Sequence, residues 1–112
     1  MIDLSQLVTA EDRAKKAWKL AERQKISVVQ DYMDSTAKEL RYDGIASAVS
    51  YAEEPSVPKF QEEGQAFRAW RSLVWAKCYE ILDEVNDGKR PIPSDEELIA
   101  ELPQLVLPTT NP

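Results

Sequence analysis

The sequence predicts an all-α fold: a small open helical bundle with a long N-terminal helix, a short second helix, a long aromatic-rich third helix and a short C-terminal one. Three observations predict it. All seven prolines lie at or after position 55, which leaves two long proline-free stretches, before Pro55 and between Pro58 and Pro91. Proline is costly inside a helix, so both stretches are free to be helical. Each carries apolar residues at spacings of three and four, the mark of an amphipathic helix. The best strand candidate, Ile26-Ser27-Val28-Val29, is too short and is flanked by helix-favouring residues.

Residues 1 to 8 read as a short lead in which Leu4, Leu7 and Val8 dock or fray. Thr9 is the expected N-cap of the first helix, with Glu11 and Asp12 in the first turn, where negative charge suits the helix dipole. The segment from Ala10 to about Leu40 contains no Gly and no Pro, and Ala14, Ala17, Trp18, Ala21, Val28, Val29, Tyr32, Thr36 and Leu40 recur along one side. Its two halves differ. Residues 11 to 25 hold nine charged side chains, and their apolar stripe is mostly alanine plus Trp18. The second half, with its larger apolar residues, is expected in the core. The first half either projects towards a partner or lies solvated on its own domain.

Gly44 permits a break, and Asp43 is the expected cap of a short helix of small residues, Ile45, Ala46, Ala48, Val49 and Ala52. Small side chains let two backbones approach closely. Residues 53 to 58 form a proline loop. From Pro58, suited to a first helical turn, to about Val85 runs the strongest helix. Phe60, Phe67, Val74 and Ile81 recur every seven residues, and Trp70, Leu73, Cys78, Leu82 and Val85 widen that stripe. Trp70 and Trp75 stand well apart around the axis. Gly64 either allows a close crossing or is tolerated at a cost of up to ~1 kcal/mol. Asn86-Asp87-Gly88 is a C-cap signal. Ser94 and Glu97 form a capping box that opens the last helix, with Leu98, Ile99 and Leu102 facing inward and Pro103 as the stop. Leu105-Val106-Leu107 is an apolar start to the tail, and the last residues fray.

Composition excludes several function classes. There is no histidine, which removes His-based triads and His-ligated zinc. The one cysteine, Cys78, cannot form an internal disulfide and sits on an apolar helix face, where it is expected to be inert. A net charge of −6 disfavours nucleic acid. No apolar run approaches ~20 residues, so no membrane span is expected, and the start lacks a signal-peptide pattern. No phosphate-binding or nucleophile-elbow motif occurs. The acidic pairs Glu53-Glu54, Glu62-Glu63 and Glu96-Glu97 read as solvated surface and helix starts, since no turn supplies the further oxygens a metal needs. Neither an enzyme, nor a metal, nor a cofactor is expected. The aromatic residues point instead to protein contact. Trp18 lies on the charged half-helix and Trp75 off the main stripe. Trp18, Phe67, Trp70, Arg71 and Trp75 are therefore the candidate partner-binding residues.

A set of local patterns goes further. Tyr42-Asp43 precedes the short Ala/Ser helix, and Pro58-Lys59-Phe60 opens the next. Ala66-Phe67 is followed by Trp70-Arg71 and Trp75, and Glu97-Leu98-Ile99 leads to Glu101-Leu102-Pro103. Together these resemble the C-terminal module of small tail proteins of tailed bacteriophages and prophages, often encoded beside tail-fibre genes. The resemblance covers about residues 42 to 107. It divides the chain into an N-terminal helical extension (1–41) for partner binding or oligomerisation, a phage-tail-type module (42–107) and a frayed tail (108–112). It implies an accessory protein that binds a tail fibre or another tail component in the host bacterial cytoplasm and assists assembly. In that role the aromatic face of Phe67, Trp70 and Trp75 would cover an apolar surface of the immature fibre. The alternatives are a minor structural protein of the virion tail, oligomerising through helix 9–40, and a host-directed inhibitor. The resemblance brings no active site with it.

Overall fold

The computed structural model describes residues 9 to 108. The chain is all-α, with α1 Ala10–Glu39, α2 Ile45–Ser50, α3 Pro58–Asn86 and α4 Asp95–Glu101. The lead with Leu4, Leu7 and Val8 and the last four residues lie outside the described residues.

The local signals act as their chemistry requires. The Thr9 hydroxyl accepts the Asp12 N–H at 3.1 Å and caps α1. Pro58 occupies the first turn of α3. Ser94 and Glu97 cap α4 reciprocally, Glu97 N–H to the Ser94 hydroxyl at 3.1 Å and Ser94 N–H to the Glu97 carboxylate at 3.2 Å. At the end of α3, Gly88 has a φ of 75°. Its N–H donates to the Val85 carbonyl and that of Lys89 to Glu84, which satisfies the last turn.

The end of α1 has the same geometry without a glycine. Arg41 has a φ of 74°. Its N–H donates to Lys38, and the N–H of Tyr42 reaches back to Ala37 at 3.2 Å. Gly44, expected to make the break, is extended instead. Nor is Asp43 the cap of α2. The Ile45 N–H is taken by the Asp34 carboxylate, from the body of α1, at 3.0 Å. A side chain of the preceding helix already faces the open end of α2, so a neighbouring cap is unnecessary.

α1 and α3 are of nearly equal length, ~45 Å each at 1.5 Å per residue, and lie antiparallel. Trp18 comes beside Leu82, Tyr32 packs on Trp70, and Leu40 comes beside Phe60. α1 is therefore matched along its length by α3. Its first half, left open between projecting and lying on its own domain, lies along the C-terminal half of α3. Trp18 is half-buried there against the core.

The buried line of α1 is Lys25, Val29, Met33 and Ala37. Of the stripe read from the sequence, Val29 lies on this line, whereas Val28, Tyr32 and Thr36 are half-buried at its flanks. From α3 come Phe67, Trp70, Val74, Cys78, Ile81 and Leu82, and from α4 and its end Leu98 and Leu102. One core thus runs across the sequence boundary at residue 42. Leu73, expected inside, is 58% exposed, because the stripe passes from Trp70 directly to Val74. Phe60 stands at the edge, 39% exposed.

α2 packs on α3 through Gly64. A β-carbon there would lie 2.7 Å from the Ala52 nitrogen and 2.8 Å from the Ala48 carbonyl oxygen. This is the close crossing that the small residues of α2 and the glycine of α3 were expected to allow. α4 is tied to α1 by Lys25, whose ammonium meets the Asp95 carboxylate at 2.7 Å. Arg90 holds Glu101 with both terminal nitrogens, at 3.0 and 2.6 Å. The Trp70 indole N–H donates to the Pro103 carbonyl at 2.7 Å and fixes the start of the tail on α3. Leu105 packs on the core, whereas Val106 is 80% exposed.

Candidate functional site

The aromatic side chains separate into two sets. The first is internal. Tyr32 meets Trp70 edge to face at 5.8 Å, Trp70 meets Phe67 at 6.0 Å, and Phe67 meets Tyr42 at 5.8 Å. Tyr42 then packs on Tyr51 and Phe60. Perpendicular rings at these separations are favourable beyond the area they bury. Phe67 is fully buried and Trp70 is 3% exposed, so neither is part of a contact surface. The aromatic face expected of Phe67, Trp70 and Trp75 therefore does not exist as one surface. The heptad that makes Phe67 and Trp70 conspicuous in the sequence is the heptad that buries them.

The second set is at the surface. Trp75 and Tyr79, four residues apart and so on one side of α3, stack with ring centroids 5.6 Å apart at 23°. Tyr79 is 52% exposed, and Trp75 is half-buried. Tyr79 faces Trp18 of α1 across an open groove of about 660 Å³, with Leu82 also lining it. Lys19, Glu22 and Arg23 from α1 and Asp83 from α3 line it too, with both signs of charge. The other side of Trp18 borders a second depression of about 350 Å³ with Ala14, Val85 and Ile92. The indole of Trp18 is thus a ridge between two hollows. Ala14 leaves the second one open, because its side chain does not fill the space up to Val85 and Ile92.

Of the five candidate residues, Trp18 lines this groove, and Trp75 is joined to it through its stack on Tyr79. Phe67 and Trp70 belong to the core. Arg71 is half-buried one turn before Trp75 and forms no ion pair among the described residues. Arg68 pairs with Glu53 at 3.4 Å. Tyr79 and Ile92 were missed as surface residues, being 52% and 47% exposed. The four-residue spacing of Trp75 and Tyr79 is the sequence signal that marks the stack.

Cys78 lies beneath this surface with no exposure. Burial, with the Glu22 charge nearby, pushes its thiol up to about 11, so it is held as the unreactive thiol. Among the described residues no group of three or more His, Cys, Asp or Glu is placed to hold a metal ion, and no helix is long and apolar enough to cross a membrane.

The residues that carry the phage-tail resemblance mostly hold the fold. Tyr42 donates to Glu63 at 2.8 Å, Trp70 donates to Pro103, and Leu98 and Leu102 fill the core. Compared with known proteins, the chain matches no family model, no curated protein and no solved structure.

Proposed function

We propose that this chain is a non-enzymatic protein-binding module: a phage tail accessory protein that binds a tail fibre or another tail component and assists its assembly. The observation that carries this reading is the open groove lined by Trp18 and by Tyr79, whose ring stacks on Trp75. Tryptophan and tyrosine dominate binding hot spots, since their rings bury much area at little entropic cost. An apolar strip of an immature fibre fills the groove, and the charged residues beside it form a polar rim of the kind that surrounds interface cores. The tail context comes from the resemblance of residues 42–107. A net charge of −6 keeps the complex soluble. The site of action is the host bacterial cytoplasm during assembly.

A second reading makes the chain a structural component of the virion tail that self-associates through α1. Leu20 favours it, an apolar side chain 59% exposed on that helix.

The test is co-expression with the tail-fibre polypeptide of the phage or prophage that encodes the chain. The wild type raises the yield of soluble, trimeric fibre. A Trp18→Ala, Tyr79→Ala variant loses most of that gain while keeping its helicity and thermal transition. Equal fibre yield with and without the protein overturns the proposal. Mass spectrometry of purified particles then separates the readings. Absence from particles supports an accessory role, and a fixed copy number supports the structural one.

A further inference from the structure

We infer that the opposite end of the bundle carries a second contact site, a cleft that takes a guanidinium-bearing side chain of a partner protein against Glu63. Glu63 is 9% exposed, one of two buried charged residues among those described. The other, Lys25, has Asp95 as its counter-charge. Glu63 has none: one oxygen, Oε1, accepts the Tyr42 hydroxyl at 2.8 Å, and no Lys or Arg among the described residues forms an ion pair with it. A buried carboxylate without a cation is costly, and a neutral glutamine would accept the same hydrogen bond without that cost.

The second oxygen, Oε2, makes no hydrogen bond among the described residues. Yet no fully buried side-chain oxygen or nitrogen is left unsatisfied among the described residues. Oε2 therefore keeps access to the outside, where Glu63 lines a cleft of about 610 Å³ and also a smaller hollow of about 190 Å³ beside Leu107 and Pro108. Tyr42, Tyr51 and Phe60 wall this cleft, their rings 5.6 to 6.3 Å apart. A guanidinium can lie flat on an aromatic face while its edge donates to a carboxylate, which a compact ammonium cannot do. Glu39 adds a second negative charge at the cleft. Arg41 and Lys59 also line it without pairing to Glu63, and they would repel a run of basic residues. The geometry therefore favours one inserted cationic side chain. The cleft lies ~30 Å from Trp18 along α1, so it is separate from the aromatic groove.

The experiment titrates the protein with N-acetyl-arginine amide and follows amide and tyrosine ring signals by NMR. N-acetyl-citrulline amide, of the same shape but uncharged, is the control. The expected result is saturable shifts confined to Tyr42, Tyr51, Phe60 and Glu63, at least tenfold weaker with citrulline and lost in Glu63→Gln. If that variant does not fold, Phe60→Leu, at the exposed wall, gives the same readout as a several-fold loss of affinity. Shifts spread evenly over the acidic surface overturn the proposal. So does equal binding of citrulline, unchanged binding in the folded variant, or a Lys59 ammonium locked on Glu63 in the free protein. None of these outcomes bears on the Trp18 groove, so the two proposals fail separately.

Discussion

Gly64 of α3 lies directly against the backbone of α2 at Ala48: a β-carbon on Gly64 would come within 2.8 Å of the Ala48 carbonyl oxygen. The clash is with backbone, and no flexible side chain can swing away to relieve it. Gly64→Ala gains up to ~1 kcal/mol of helix propensity but forces α2 off α3. The expected outcome is a net loss of about 2 kcal/mol, within the range of overpacked cores. Chemical denaturation followed by circular dichroism measures it, and unchanged stability would mean that the two helices are further apart.

Arg41 gives the opposite sign. It adopts a φ of 74°, a conformation that costs an L side chain about 1 kcal/mol and a glycine almost nothing. The side chain is exposed and closes the end of α1 through its backbone alone. Arg41→Gly is expected to raise the denaturation midpoint, by about 1 kcal/mol of stability. A lower midpoint would mean that the guanidinium stabilises the fold in a way that its position does not show.

Trp70 has two roles that substitutions separate. Trp70→Phe keeps most of the ring in the core but removes the donor to the Pro103 carbonyl. A loss of about 1 to 2 kcal/mol is expected, with faster hydrogen exchange in residues 104 to 107. Trp70→Ala also empties the core and is expected to cost about 3 to 5 kcal/mol. Similar losses in the two variants would show that the hydrogen bond, not the packing, carries the contribution.

The last helix is expected to be the acid-sensitive part. Asp95 is held below the usual carboxylate range by its hydrogen bonds to Lys25 and then Gln24. Glu97 is held low by the Ser94 backbone N–H and then its hydroxyl, and Glu101 by Arg90. Their folded values lie below the unfolded ones. The stabilisation they give is therefore complete above roughly pH 4 to 5 and is lost as the pH falls through the depressed values. On acidification the amide protection of Leu98 should fall before that of Val29 or Val74. Asp95→Asn should flatten part of this acid limb. Simultaneous loss at all three amides would instead indicate one cooperative acid transition.

What the sequence by itself determined was local. Thr9, Ser94 with Glu97, Pro58 and Gly88 act on backbone groups three or four residues away, so their spacing alone announces the helix ends. The three-and-four pattern then makes α1 and α3 amphipathic whatever they pack against. The tertiary structure decided what depends on which element faces which. Asp34 caps α2 from eleven residues away. Lys25 is buried in a charged segment because Asp95, seventy residues on, supplies its counter-charge. Arg41 takes the left-handed turn in place of a glycine because the chain must bring Tyr42 back to Phe67 and Glu63. The candidate surface divides for the same reason. Periodicity marks Trp70 and Trp75 as lying on different sides of one helix. Only the antiparallel seating of α1 buries the first and leaves the second stacked beside an open groove.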